Sequence, residues 1–165
     1  KWNFMKLTPG LVGGHCIGID PYYLIHESKM SGYTTNIMRA ARKLNHEMSN
    51  WVVDNFLEFT KKENIDIKTT VITLMGYTFK ENCSDIRNTK IYDLAISLKN
   101  YGANISIWDP FLTKETQEEL SKNNIISYTN EPNEVQLAFI CVYHEEILNF
   151  LKDYSGTIYD FRKVN

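Results

Sequence analysis

The sequence predicts an α/β protein, a long connecting helix followed by a doubly wound parallel sheet. Beyond residue 68, short runs rich in β-branched residues alternate with segments of helical spacing, the pattern of strands joined by crossover helices. The runs are apolar throughout rather than alternating, which is how strands read when both faces of a sheet are covered. Residues 34 to 62 contain no proline or glycine and carry apolar residues at helical spacing.

In chain order, "DPYYLIHESKM" reads as a shorter helix stopped near Gly32. The long helix follows, with Thr34, Thr35 and Asn36 as N-cap candidates and Ile37, Ala40, Ala41, Leu44, Met48, Trp51, Val52 and Phe59 on its apolar face. It would span roughly 40 Å, more than a small domain needs for its own core. It is therefore expected to connect domains or form a subunit contact. Trp51, Phe56 and Phe59 are expected to form a packing stripe. "TVITLMG" reads as the first strand, then a helix on Ile91, Leu94, Ala95 and Leu98 closed by Gly102. "ANISIWDP", "NIISY", "VQLAFICV" and "GTIYDF" read as strands, and "TKETQEELSKN" and "HEEILNFLKDY" as helices. The expected division is a cysteine loop with a short helix over 1–33, the long helix over 34–63, and the doubly wound domain over 68–165.

A chain of 165 residues has room for one ordinary domain of ~100–150 residues and an appendage. Its 43% hydrophobic and 23% charged content is that of a globular protein. A net charge of −2 supplies no basic face for nucleic acid. No apolar run approaches the ~20 residues of a membrane span and no signal peptide opens the chain, so no membrane partner is expected and the expected location is cytoplasmic. "KWNFMK" has neither an initiator methionine nor a lead-in, and the chain reads as a piece of something longer. Cys16, Cys83 and Cys141 suit neither a disulfide framework nor a zinc cluster, and no metal site is expected. Cys141 reads as core and Cys83 as an exposed loop thiol.

Chemistry concentrates in two stretches. In "PGLVGGHCIGIDPYYL", Gly10, Gly13 and Gly14 free the backbone around Cys16. Cys16 reads either as a small residue in a glycine turn or as a nucleophile. Asp20, one helical turn on, could orient or deprotonate a water near the sulfur. His15 is not expected to be the base, because adjacent side chains diverge. The second stretch, "GYTFKENCSDIRNTK", lies at the carboxyl end of the first strand, where ligands bind in such sheets. Lys80 and Arg87, followed by Asn88 or Thr89 capping the next helix, would favour an anion such as phosphate. The plain alternative is a solvated charged loop. Only Gly76 lies in this turn, so the domain has a Rossmann-like plan without the G-x-G-x-x-G fingerprint. His26, His46 and His144 are expected at the surface or in the core.

Together with the terminal "YDFR", these two stretches resemble the UDP-glucose/GDP-mannose dehydrogenase family. "GGHC" in place of "GGSC" is most similar to the branch acting on UDP-N-acetylhexosamines. The resemblance covers nearly the whole chain and implies an NAD-binding Rossmann domain that has no counterpart here, a helical core, and a second, UDP-sugar-binding Rossmann-like domain. It implies oxidation of a C6 alcohol to a carboxylate with two NAD⁺ and polysaccharide precursor synthesis; the long apolar-striped helix, for its part, points to a homodimer. Cys16 would add to the intermediate aldehyde as a thiohemiacetal, become a thioester on losing a second hydride, and be released by water. Asp20 would assist that water, and the glycines, Gly13 among them, would let the backbone approach the substrate. Phe79 and Lys80 match the family's substrate-binding "FK" pair, Arg87 a contact to the NAD pyrophosphate, and Arg162 a "D-x-R" reaching the substrate. Two other readings remain open: a UDP-sugar-binding module without chemistry, and a dimerisation module.

Overall fold

A computed structural model describes residues 10–163, so the opening "KWNFMK" lies outside the described residues. The elements run α1 (His15–Met30), α2 (Asn36–Lys62), β1 (Val71–Met75), α3 (Ile91–Asn100), β2 (Asn104–Trp108), α4 (Lys114–Lys122), β3 (Ile126–Tyr128), β4 (Leu137–Ile140), α5 (Glu145–Asp153) and β5 (Thr157–Asp160). A short 3-10 turn, Phe161–Lys163, follows.

The strands form one parallel sheet in the order β3-β2-β1-β4-β5. The chain winds outward from β1 to β2 and β3, then returns to β4 on the other side. The topological switch point therefore falls between β1 and β4, in register at Met75 and Ile140.

Alternation along the strands divides the core. Ile72, Leu74, Leu137 and Phe139 face α2 and α3, where they meet Val52, Val53, Phe56, Leu94 and Leu98. Met75 and Ala138 face the other way, toward Trp108 and Ile147 of α5. Helices cover both faces, as a parallel sheet requires. The edges are less covered than their apolar sequences predict: Ile126 and Ile158 are exposed.

Helix ends follow a shared rule. Gly32, Asn64, Gly102 and Asn124 take positive φ just beyond α1 to α4. After α3, Gly102 N–H donates to the Lys99 carbonyl and Ala103 N–H to the Leu98 carbonyl, the Schellman pair. Gly102 was legible as such a stop, whereas the two asparagines were not.

Two expectations fail here. The first helix was expected to begin at Asp20, but α1 starts at His15 and contains Pro21. Cys16 therefore sits in a helical first turn, with Gly10, Gly13 and Gly14 ahead of the helix and Gly18 within it. Trp51 is half exposed and leaves the packing stripe to Phe56 and Phe59, whose rings meet Tyr159 at 5.0 Å each.

Candidate active site

The site is built outward from the carboxyl end of β1. Gly76 has φ 96°, and a Cβ there would meet the Val142 backbone nitrogen at 2.9 Å, so only glycine lets the chain turn so close to β4. The next two N–H groups, of Tyr77 and Thr78, donate to Asp109 Oδ2 at 2.6 and 3.0 Å. Asp109 directly follows β2 and is fully buried, as is His144, whose Nε2 lies 3.0 Å from the same oxygen. Burial alone would raise the Asp109 carboxyl, but the hydrogen bonds from His144, Tyr77 and Thr78 outweigh it and hold the pKa below the ordinary range.

Farther along, Phe79 N–H donates to the Asp85 carbonyl at 3.1 Å. Asp85 grips Arg87: the guanidinium Nε lies 2.9 and 3.0 Å from its two oxygens, and the Arg87 N–H donates to Oδ1 at 2.9 Å. Hydrogen bonds from Arg87 hold the Asp85 pKa down to about 2. The same hydrogen bonds, and then the Asp85 charge, raise that of Arg87 in turn.

The cysteine helix docks on this loop. Gly14 N–H donates to the Arg87 carbonyl at 3.0 Å, and the Asn88 side-chain amide donates to the Gly14 carbonyl at 3.1 Å. A Cβ on Gly13 would lie 2.6 Å from the Asn88 carbonyl oxygen, and one on Gly14, at φ 94°, would lie 3.0 Å from the Phe79 ring. Gly10 has nothing within 4 Å. The glycines were expected to admit a ligand; at Gly13 and Gly14 the space is taken by the protein's own loop.

Cys16 is exposed, and His15 Nδ1 approaches its sulfur to 3.8 Å. The divergence expected of neighbouring side chains thus does not occur at this helix start. Asp20 is exposed four residues on, on the same face of α1. Lys80 is exposed, with Nζ 5.5 Å from the Phe79 ring centre.

Arg162 approaches from the end of the sheet. Its Nη2 donates to the Cys141 carbonyl at 2.7 Å, its guanidinium carbon lies 4.3 Å from the Tyr143 ring centre, and Nη1 is 3.7 Å from Glu81 Oε1. Tyr143 in turn donates to Asp160 at 2.6 Å. Burial first, and then that carboxylate, push the Tyr143 phenol up to about 12.

The structure therefore gathers Gly13, Cys16, Phe79 and Arg87 at one place. Lys80 is next along the loop, and Arg162 is tied to that loop through Glu81. Asn88 does not cap α3: it has φ 53° and serves Gly14, while Lys90 is the N-cap residue. The Thr89 hydroxyl donates to the Tyr77 carbonyl at 2.6 Å and accepts the Ile91 N–H at 3.3 Å. Cys83 is half-buried rather than exposed; Cys141 is buried, which pushes its thiol up. Asp109 escaped the sequence reading, although a lone carboxylate directly after the apolar run "NISIW" was a usable signal. A cavity of about 380 Å³ lies elsewhere, between α2 and β5, lined by residues that include Glu58, Lys62 and Lys163. Among the described residues no helix is long and apolar enough to cross a membrane, and no three His, Cys, Asp or Glu side chains gather as a metal site.

Residues 73–164 match the UDP-binding domain of the UDP-glucose/GDP-mannose dehydrogenase family, and residues 1–47 match its central domain. The chain is 35% identical over 160 residues to protein CapL of Staphylococcus aureus, covering 97% of this chain and 38% of that protein. It is 46% identical over 115 residues to a UDP-N-acetyl-D-glucosamine 6-dehydrogenase of Salmonella typhi, covering 70% of this chain and 27% of that enzyme. The chain thus spans well under half the length of these relatives. A UDP-glucose dehydrogenase structure from Pyrobaculum islandicum shares the fold, with a TM-score of 0.76 at 22% identity over 94% of this chain and 36% of that one.

Proposed function

Because the chain belongs to the UDP-glucose/GDP-mannose dehydrogenase family, we propose that it is the cysteine-bearing and UDP-sugar-binding part of a nucleotide-sugar 6-dehydrogenase acting on a UDP-N-acetylhexosamine. The observation that carries this reading is the 3.0 Å hydrogen bond from Gly14 N–H to the Arg87 carbonyl. It fastens the Cys16 helix to the loop that holds Phe79 and Lys80. An exposed sulfur beside a cationic loop at a sheet's carboxyl end is where a nucleotide sugar would meet a nucleophile.

In this reading the Cys16 thiolate adds to the C6 aldehyde, forming a carbon–sulfur bond and an oxyanion. The first N–H groups of α1 favour negative charge developing beside them. Holding the aldehyde on sulfur keeps it from escaping and leaves a hydrogen on C6 for the second oxidation. Water then attacks the thioester, releasing the carboxylate and restoring the thiol, with Asp20 taking the water's proton. Lys80 and Arg162 would bind the UDP-sugar, and the guanidinium fork suits a phosphate. Arg87, braced by Asp85 yet exposed, fits one contact to the NAD pyrophosphate. NAD supplies the acceptor for both hydrides.

The test uses the full-length protein with UDP-N-acetylglucosamine and UDP-N-acetylgalactosamine. Cys16→Ala is expected to abolish sustained NADH formation; an undiminished rate would remove the covalent route. A binding module without chemistry predicts instead that this chain takes up UDP in calorimetry while Cys16 shows no reaction with a UDP-linked C6 aldehyde.

A further inference from the structure

We propose that His144 is a positioning residue for the loop that carries Phe79 and Lys80, holding both of its ends through the two ring nitrogens. This rests on the reading of Lys80 as a substrate contact. The Asn82 backbone N–H, which can only donate, points at Nδ1 at 3.0 Å. Nδ1 is therefore unprotonated, and a neutral ring carries its proton on Nε2. Nε2 faces Asp109 Oδ2 at 3.0 Å and the Thr78 hydroxyl at 2.9 Å. The Thr78 hydroxyl spends its own hydrogen on the Lys80 carbonyl at 3.0 Å, leaving a lone pair for the imidazole.

One ring thus joins the entry of the loop, at Thr78, to its exit, at Asn82. Asp109 reinforces the entry by accepting the Tyr77 and Thr78 N–H groups. The exit is locked reciprocally: Asn82, at φ 51°, accepts the N–H of Glu145, the residue after His144, on its side-chain oxygen at 3.0 Å. The Phe111 ring lies tilted 5.0 Å away, and His144 is fully buried. Between these fixed ends the Lys80 and Glu81 side chains reach solvent. An apolar ring would fill the same space; the polar ring, with every partner on this loop or on its anchor Asp109, sets the loop's shape.

The test compares His144→Phe, His144→Asn and His144→Gln in the full chain, by amide hydrogen exchange and by UDP calorimetry. His144→Phe keeps the ring's bulk but none of its three hydrogen bonds. It is expected to speed exchange over residues 77–82 roughly tenfold relative to β1, and to weaken UDP binding by about the same factor. The Asn oxygen can occupy the place of Nδ1 and accept the Asn82 N–H, so His144→Asn should recover most of both losses despite filling less space. His144→Gln cannot reach that place and should recover less. Exchange that rises equally in β1 and in the loop, or Asn and Gln variants that behave alike, would reduce His144 to a packing residue. The Asn and Gln comparison decides this even if His144→Phe does not fold. Absence of UDP uptake by the unaltered chain would instead remove the substrate reading, and hydrogen exchange would still decide the role of His144.

Discussion

Arg42 Nη1 on α2 donates to the Ile17 carbonyl on α1 at 3.1 Å. That carbonyl is the one Pro21 deprives of its helical donor, because a proline at i removes the bond to i−4. The same guanidinium lies 5.1 Å from the Tyr22 ring centre, so one side chain both repairs the helix and holds it against its neighbour. Since α1 buries no residue, little else fastens it there. Arg42→Ala is expected to cost about 1 kcal/mol of local stability. Exchange of α1 amides should rise several-fold while the thermal midpoint of the sheet stays put. A fall in that midpoint equal to the local loss would mean that α1 is not a separate unit.

Gly13→Ala is expected to undo the docking of the cysteine helix. The added methyl would lie 2.6 Å from a backbone oxygen, which has no rotamer to escape by. The 79–88 loop must therefore withdraw, breaking the bonds to both Gly14 peptide groups. Overpacking of this kind costs ~1–3 kcal/mol. Asn88→Gly removes that one side-chain hydrogen bond without straining the positive φ of residue 88 and should cost about 1 kcal/mol. Denaturant unfolding of both variants checks the ranking, and a Gly13→Ala protein as stable as the unaltered chain would contradict it.

Asp85 and Arg87 should part only in strong acid. Hydrogen bonds from Arg87 lower the folded-state pKa of Asp85 to about 2, against about 3.9 in an unfolded chain. A depressed carboxylate stabilises above its unfolded pKa, and that contribution is lost as pH falls through the folded value. The Arg87 Nε resonance, followed by NMR from about pH 5 to about pH 1, should therefore move with a midpoint near 2. Asp85→Asn should leave the resonance in its released position throughout. A midpoint near the ordinary carboxylate value would mean that the pair does not persist in solution.

How far the chain could be read without coordinates depended on the range of the interactions. The β1 run "VITLM" and the Ile91, Leu94 and Leu98 stripe declare themselves because burial imposes a period on neighbouring residues. Gly14 and Arg87 each stood out by type, but their hydrogen bond spans the loops between two segments, and no local pattern encodes it. Asp109 and His144 are 35 positions apart, and although Asp109 stands out after its apolar run, nothing local tells that the fold buries it against His144. Pro21 misled for the opposite reason: its local meaning is a helix start, and a distant arginine overrode it.

The front half of α2 remains to be covered. Its buried residues, Ser49, Val52, Val53, Phe56 and Thr60, all lie toward the carboxyl end, against the sheet. Ahead of them Ile37 is 86% and Leu44 66% exposed, and Ile17, Tyr23 and Leu24 of α1 extend the apolar surface. A homodimer pairing this surface with its own copy is the proposed assembly. In a twofold contact each substitution acts twice. Burying a leucine contributes ~1.5–3 kcal/mol, so losing two would weaken the dimer by roughly two to four powers of ten. Leu44→Glu should turn a dimer into a monomer in light scattering with the thermal midpoint of the sheet domain unchanged, because Leu44 does not join the core. An unaltered chain that stays monomeric at high concentration would leave this surface to a different partner.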